Sequence, residues 1–172
     1  SEIYHKSNIL YGMYQAKKAI TRKEKCYLVE GYTDVIALHQ SGIENVVAAS
    51  GTSLTEHQVR LVKRFTPHIT IIFDGDPAGI KASLRGIDLI LEQGMNVKVL
   101  LLPDGEDPDS FARSRSASEL EEYIHNNEKD FIHFKTRLLA EEAENDPVKR
   151  ANLINDIVRS ISMIPDGIMR SV

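Results

Sequence analysis

The sequence holds a single cysteine, Cys26, and that scarcity removes several chemistries at once. One thiol cannot close an internal disulfide, nor can it supply the cysteine pairs of a structural zinc site. A reducing cytoplasm suits such a chain. Histidines stand at positions 5, 39, 57, 68, 125 and 133, too scattered to mark a site. No apolar run approaches the roughly 20 residues of a membrane span, so no membrane partner is expected. The opening residues carry His5, Lys6 and Asn8 and lack the apolar stretch of a signal peptide. Internal repeats and low-complexity tracts are absent as well. Positive charge is not in excess: the formal net charge is −4, which argues against a surface that is basic all over. Nucleic-acid chemistry survives that exclusion. A metal-dependent phosphoryl-transfer site concentrates Asp and Glu, and its cations then reverse the local sign.

The 172 residues are 42% hydrophobic and 27% charged, enough for one medium domain or one domain with a small appendage. Between residues 25 and 102, short apolar runs alternate with helical patterns, the sequence form of a parallel α/β sheet. Four strands are predicted, at 26–30, 46–49, 69–73 and 97–102. Helices are predicted at 33–40, at 55–65 with Thr55 as N-cap, and from Pro77 to about 93. The run Ile69-Thr-Ile-Ile-Phe73 is almost unbroken, as for a strand covered on both faces. After Pro103 comes a loop, Asp104-Gly-Glu-Asp-Pro-Asp109. Beyond residue 117 strand signals vanish, and helical patterns at 118–126, 130–145 and 148–163 suggest a small helical appendage. An opening helix is predicted at 9–20.

In an open parallel sheet, ligands sit beyond the carboxyl ends of the strands. Three acidic groups fall there. Glu30 closes the first strand, with Gly31 after it and Asp34 one helical turn onward. Asp74 and Asp76 close the third strand. Glu106, Asp107 and Asp109 follow the fourth. Carboxylates converging on one edge repel, and cations relieve them; oxygen donors without thiols or clustered imidazoles suit Mg²⁺ or Mn²⁺. Two such ions activate an attacking hydroxyl and stabilise a leaving oxygen, while Glu30 is alternatively a general base or acid. Each group also has a plain reading. Asp-Gly-Asp is turn chemistry, Glu30 alone is a strand end, and 104–109 is a solvated loop with a helix cap. What favours function is that all three groups share one edge. A receiver-type phosphorylation domain gathers acids there too, but it needs an acidic pair after the first strand and a late Lys, and neither is clear.

Three strings carry a resemblance: Val29-Glu-Gly-Tyr-Thr-Asp34, Phe73-Asp-Gly-Asp-Pro-Ala-Gly79 and Leu102-Pro-Asp-Gly-Glu-Asp-Pro-Asp109. They resemble the three TOPRIM motifs of bacterial DnaG-type primases. Tyr4-His-Lys-Ser7 and Leu10-Tyr-Gly-Met-Tyr-Gln-Ala16 look like the stretch that precedes the TOPRIM fold in that family, so the resemblance covers nearly the whole chain. It implies a TOPRIM α/β fold: a central four-stranded, mainly parallel sheet flanked by helices, then a small helical subdomain. Residues 1–22 would be a remnant of an N-terminal polymerase subdomain, 23–116 the TOPRIM domain and 117–172 the helical subdomain.

The resemblance also implies an enzyme, a nucleotidyltransferase that copies a single-stranded DNA template into an RNA primer from ribonucleoside triphosphates with Mg²⁺ or Mn²⁺. Glu30, Asp34, Asp74, Asp76, Asp107 and Asp109 fall on the family's metal-site carboxylates, with Glu30, Asp74 and Asp76 expected to be catalytic. Lys6 matches a basic residue near template or nucleotide. Thr33 stands where Met is usual, outside the carboxylate set. The family's zinc-binding N-terminal domain, the rest of its polymerase subdomain and its C-terminal domain for the replicative helicase do not fit in this length, so a fragment of weak or no polymerase activity is expected. Other TOPRIM proteins remain as alternatives: a topoisomerase or nuclease fragment, or a non-catalytic recombination scaffold.

Outside the motifs, Lys81 and Arg85 share a helix face just beyond Asp76 and are candidate nucleic-acid or nucleotide contacts, with solvated surface as the plain reading. Arg60, Lys63 and Arg64 form a similar patch. Tyr27, Phe65 and Phe73 read as core and give no stacking platform for bases.

Overall fold

In this computed structural model residues 8–165 are described, apart from 50, 52, 75–76, 104 and 144–145, and only the backbone is described for 77–79, 81–83, 85 and 142. Strands β1 (Cys26–Val29), β2 (Val46–Ala48), β3 (His68–Phe73) and β4 (Asn96–Leu101) lie parallel in the order β2-β1-β3-β4. They are the four strands expected, each within a residue or so at its ends. A fifth strand, β5 (Lys129–Asp130), pairs antiparallel with β4 through Lys98–Asp130 and Val99–Lys129. Two exposed polar residues carry no hydrophobic period, which is why no strand is predicted there.

Alternation along each strand divides the core into two layers. Cys26 and Leu28 face one side with Ile69, Ile71, Val97 and Val99. That side is covered by α1 (Met13–Lys23), α3 (Glu56–Lys63), α4 (Pro77–Glu92) and α7 (Phe131–Glu142), through Ile20, Val59, Leu84 and Phe131 respectively. Tyr27 and Val29 face the other side with Ile72 and Leu100. There α2 (Tyr32–Gln40), α5 (Pro108–Arg113) and α6 (Ala117–Asn127) supply Leu38, Phe111 and Leu120. The last helix, α8 (Pro147–Ser162), packs on α7, and its buried Ser160 hydroxyl donates to Asp88 of α4 (2.9 Å) while accepting from Lys135 (2.8 Å).

Local chemistry sets the boundaries. Thr55 caps α3 as expected, its hydroxyl accepting from the Gln58 N–H at 3.2 Å, and Gln58 answers by accepting from the Thr55 N–H at 3.0 Å. The opening helix begins at Met13, later than the predicted residue 9. Tyr11 instead bridges Ala48 with two backbone hydrogen bonds of 2.8 and 3.1 Å, and Gly12 turns the chain at φ 80°. A side chain at Gly12 would stand 2.9 Å from Val35 Cγ1, so only glycine fits. The second half of the expected 104–109 loop is helical, because Asp107 caps α5 and Pro108 opens it.

At the amino ends of the strands sits Glu128, whose side chain is 3% exposed. It accepts from Lys25 at 2.8 Å, from Lys98 at 2.9 Å and from the Thr70 hydroxyl at 3.1 Å, tying β1, β3 and β4 together. Burial opposes its ionisation, but the hydrogen bonds from the two lysines outweigh burial and hold the carboxyl below its ordinary value. A folded value below the unfolded one stabilises the fold above the ordinary carboxylate range, and that contribution is lost as pH falls through the folded value. Glu128→Ala is therefore expected to lower unfolding free energy by about 2–4 kcal/mol at pH 7, leaving two lysines without a partner. Urea unfolding at pH 7 and below pH 4 checks this, and the gap between wild type and variant should narrow in acid.

Candidate active site at the carboxylate edge

The strand order reverses at β1: the chain leaves it for β2 on one side and returns to β3 on the other. The carboxyl ends of β1 and β3 therefore flank the crevice where an open parallel sheet receives its ligand. Glu30 follows β1 directly, and Asp74 follows β3. Both are exposed. Among the described residues Glu30 makes no hydrogen bond or ion pair.

Gly31 opens α2, and Asp34 in the first turn curls back so that its Oδ2 accepts the Gly31 N–H at 3.0 Å. A side chain at Gly31 would meet that same oxygen at 3.0 Å, so the glycine leaves room for the carboxylate to return. Asp34 is half-buried, and its carboxyl is raised above the ordinary value. Burial is the largest cause; the Gly31 hydrogen bond opposes it; the negative charges of Asp74, Asp107 and Glu30 add to it. Three carboxylates from the segments that follow β1, β3 and β4 thus act on Asp34 at this edge.

The third acidic loop divides its members. Asp107 Oδ1 accepts from the Ser110 N–H at 2.7 Å, and this N-cap bond above all holds the Asp107 carboxyl below the usual range. Glu106 turns instead to Arg115, which grips both its oxygens at 2.7 and 3.0 Å and lies 4.1 Å from the centre of the Phe111 ring. That pairing lowers the Glu106 carboxyl against burial and the negative charge of Asp107. Asp109 pairs with Arg113 at 3.0 Å one turn along α5. The structure accordingly brings Glu30, Asp34, Asp74 and Asp107 together electrostatically and directs Asp109 along its own helix. Asp76 and Lys6 lie outside the described residues, as do the side chains of Lys81 and Arg85. The Arg115 clamp is absent from the sequence reading: an Arg nine residues after a Glu has no helical or strand spacing to betray the pair.

No group of three or more carboxylate, imidazole or thiol side chains among the described residues is arranged to hold a metal ion as placed. The donor chemistry nonetheless fits one. All donors at the edge are carboxylate oxygens, and their repulsion is of the kind a hard divalent cation relieves. Among the described residues no helix is long and apolar enough to cross a membrane.

Residues 27–112, half of the chain, match the family described as Toprim-like. The chain belongs to that family. Over nearly its whole length this Toprim-like chain is also similar to DNA primases, being 32% identical over 169 residues to that of Staphylococcus epidermidis and over 168 residues to that of Staphylococcus aureus. The alignments cover 98% of this chain and 28% of each primase, so the chain spans less than a third of the curated relatives it matches. Among solved structures, a DNA primase domain from Pseudomonas aeruginosa superposes with a TM-score of 0.87 at 33% identity, covering 99% of this chain and 54% of that one. A DnaG catalytic core gives 0.85 at 33%, covering 99% and 56%. A DnaG primase catalytic domain bound to single-stranded DNA gives 0.86 at 32%, with the same coverage. The primase resemblance carried by the three motifs thus holds across the chain, and the α/β sheet is the TOPRIM core.

Because the Asp74 charge is one cause of the raised Asp34 carboxyl, Asp74→Asn should shift Asp34 titration downward toward the ordinary aspartate range. Carboxyl-carbon NMR titration of the two proteins without metal checks this. An Asp34 titration unmoved by the substitution would mean that the Asp74 charge does not act on it.

Proposed function

We propose that this chain carries the metal-binding centre of a primase, the site at which ribonucleotides are joined into an RNA primer on a single-stranded DNA template. The observation that carries the reading is Asp34 held in the combined field of Glu30, Asp74 and Asp107 where the sheet reverses its strand order. The similarity to primases over 98% of the chain supports it. Glu30, Asp34, Asp74 and Asp107 are the carboxylates this reading assigns to Mg²⁺ or Mn²⁺, with Asp76 and Asp109 assigned from the motif resemblance alone. When bound, the divalent cations lower the barrier to phosphoryl transfer by stabilising charge on the attacking and leaving oxygens.

The chain's own residues do the positioning. Glu30, directly after β1, is alternatively the general base that accepts a proton from an attacking hydroxyl in this reading. Asp34 is anchored by Gly31 and Asp107 by Ser110, so neither must be ordered when a ligand arrives. Arg115 keeps Glu106 out of the way. Lys6, Lys81 and Arg85 are assigned to nucleotide or template from the sequence. Single-stranded DNA, ribonucleoside triphosphates and the RNA primer are the ligands this reading requires. A replicative helicase, a zinc-bearing N-terminal domain and a cytoplasmic setting are what it implies for the whole protein.

The test is ribonucleotide incorporation on a single-stranded template by the intact protein, with Asp74→Asn and Glu30→Gln alongside. Each substitution is expected to reduce incorporation on the order of 100-fold or more with folding intact. Full incorporation by both variants, or metal-dependent strand cleavage in place of synthesis, would contradict the reading.

A further inference from the structure

One helix face stays unexplained by the fold and by the carboxylate edge. Helix α1 buries Ala16, Ala19 and Ile20 against the sheet, and its outer face is left to solvent. Tyr14 is 77% exposed, an unusual setting for so large a ring. Lys18 and Arg22 follow it at intervals of four, on the same face of the helix. Beside them Lys17 places its ammonium 4.2 Å from the centre of the Tyr14 ring. Helix α1 contains four basic residues and no acidic one, in a chain whose net charge is −4. Of these, Arg22 is 3.5 Å from the exposed Glu44 and Lys23 pairs with Glu121, whereas Lys17 and Lys18 have no acidic partner among the described residues.

The face is continuous with the carboxylate edge. Tyr11, just ahead of α1, is fixed by its backbone bridge to Ala48 at the carboxyl end of β2. Its ring lies 5.8 Å from that of Tyr32, which stands in the chain between Glu30 and Asp34. The helix then runs from that end of the sheet toward the amino end of β1. Aromatic rings alternating with unpaired ammonium groups are the composition that binds single-stranded nucleic acid, through stacked bases and neutralised phosphates. A phosphate backbone meets the charge of Lys17 and Lys18, which have no acidic partner among the described residues of the chain itself.

We propose that the outer face of α1, made by Tyr14, Lys17, Lys18 and Arg22, is a track along which the single-stranded DNA template runs to or from the carboxylate edge. The proposal rests on the primase reading for the identity of its ligand. It does not depend on the metal site, so binding is measured in EDTA.

Fluorescence anisotropy with a labelled oligothymidylate, across a salt series, tests it in this chain. Lys17→Ala/Lys18→Ala is expected to weaken binding about fivefold at low salt and to flatten the slope of log K against log salt by about 1.4, the value for two lost phosphate contacts on a single strand. Tyr14→Ala should weaken binding about fivefold at every salt concentration with the slope unchanged, and Tyr14→Phe should restore it. Arg137→Ala, at an exposed position of α7, should leave both quantities at the wild-type values. No binding by the wild-type chain overturns the proposal, as do variants that match wild type in affinity and slope; an α1 face that covers another protein segment would give the second result. Loss of metal-dependent synthesis with this binding intact would count against the primase reading alone.

Discussion

Repulsion among carboxylates held by a rigid sheet is the interaction on which the rest of this molecule turns. β1 and β3 are adjacent, parallel and buried on both faces, so the residues that leave their carboxyl ends cannot drift apart. Glu30 and Asp74 follow the carboxyl ends of β1 and β3 directly. Gly31 returns Asp34 into the same space, and the cap of α5 returns Asp107. Asp34 registers the outcome, with a carboxyl raised by burial and by three like charges. Repulsion of this kind is what a hard divalent cation relieves.

The two ends of the sheet treat the same residue types in opposite ways. At the amino ends, the Glu128 side chain is almost wholly buried, yet it is satisfied by two lysines and a threonine. Its charge belongs to the fold. Glu106, a neighbour of Asp107 in sequence, is likewise removed from the cluster by a two-toothed arginine contact. The chain therefore has the means to neutralise an acid and uses them at Glu106 and Glu128. At the reversal of strand order, by contrast, the charges of Asp74, Asp107 and Glu30 all raise the Asp34 carboxyl.

Much of this was legible in the residues. Apolar runs such as Ile69-Thr-Ile-Ile-Phe73 announce strands because a strand buried on both faces tolerates little else, and Thr55, Pro77 and Gly94 mark helix limits by local backbone chemistry. Placing three acidic groups on one edge needed only the strand order of a parallel α/β fold. The features that escaped depend on distant partners. β5 is two polar residues whose strand character comes from β4, and the start of α1 is fixed by a bridge to Ala48. The clamp of Arg115 on Glu106 needs α5 to exist first, and residues 104–109 read as a loop because the cap and proline of α5 lie inside an acidic motif. The exposed Tyr14 and Lys17 escaped for a different reason: sequence shows which residues a helix has, but not which of its faces the fold leaves bare.

The most direct measurement is a Mn²⁺ titration followed by paramagnetic broadening of backbone amide resonances in this chain. The account predicts broadening centred on Glu30, Gly31, Asp34 and Asp107, largely abolished in Asp74→Asn. Broadening centred on the exposed acids of α6 and α8, or equal in wild type and variant, would contradict it.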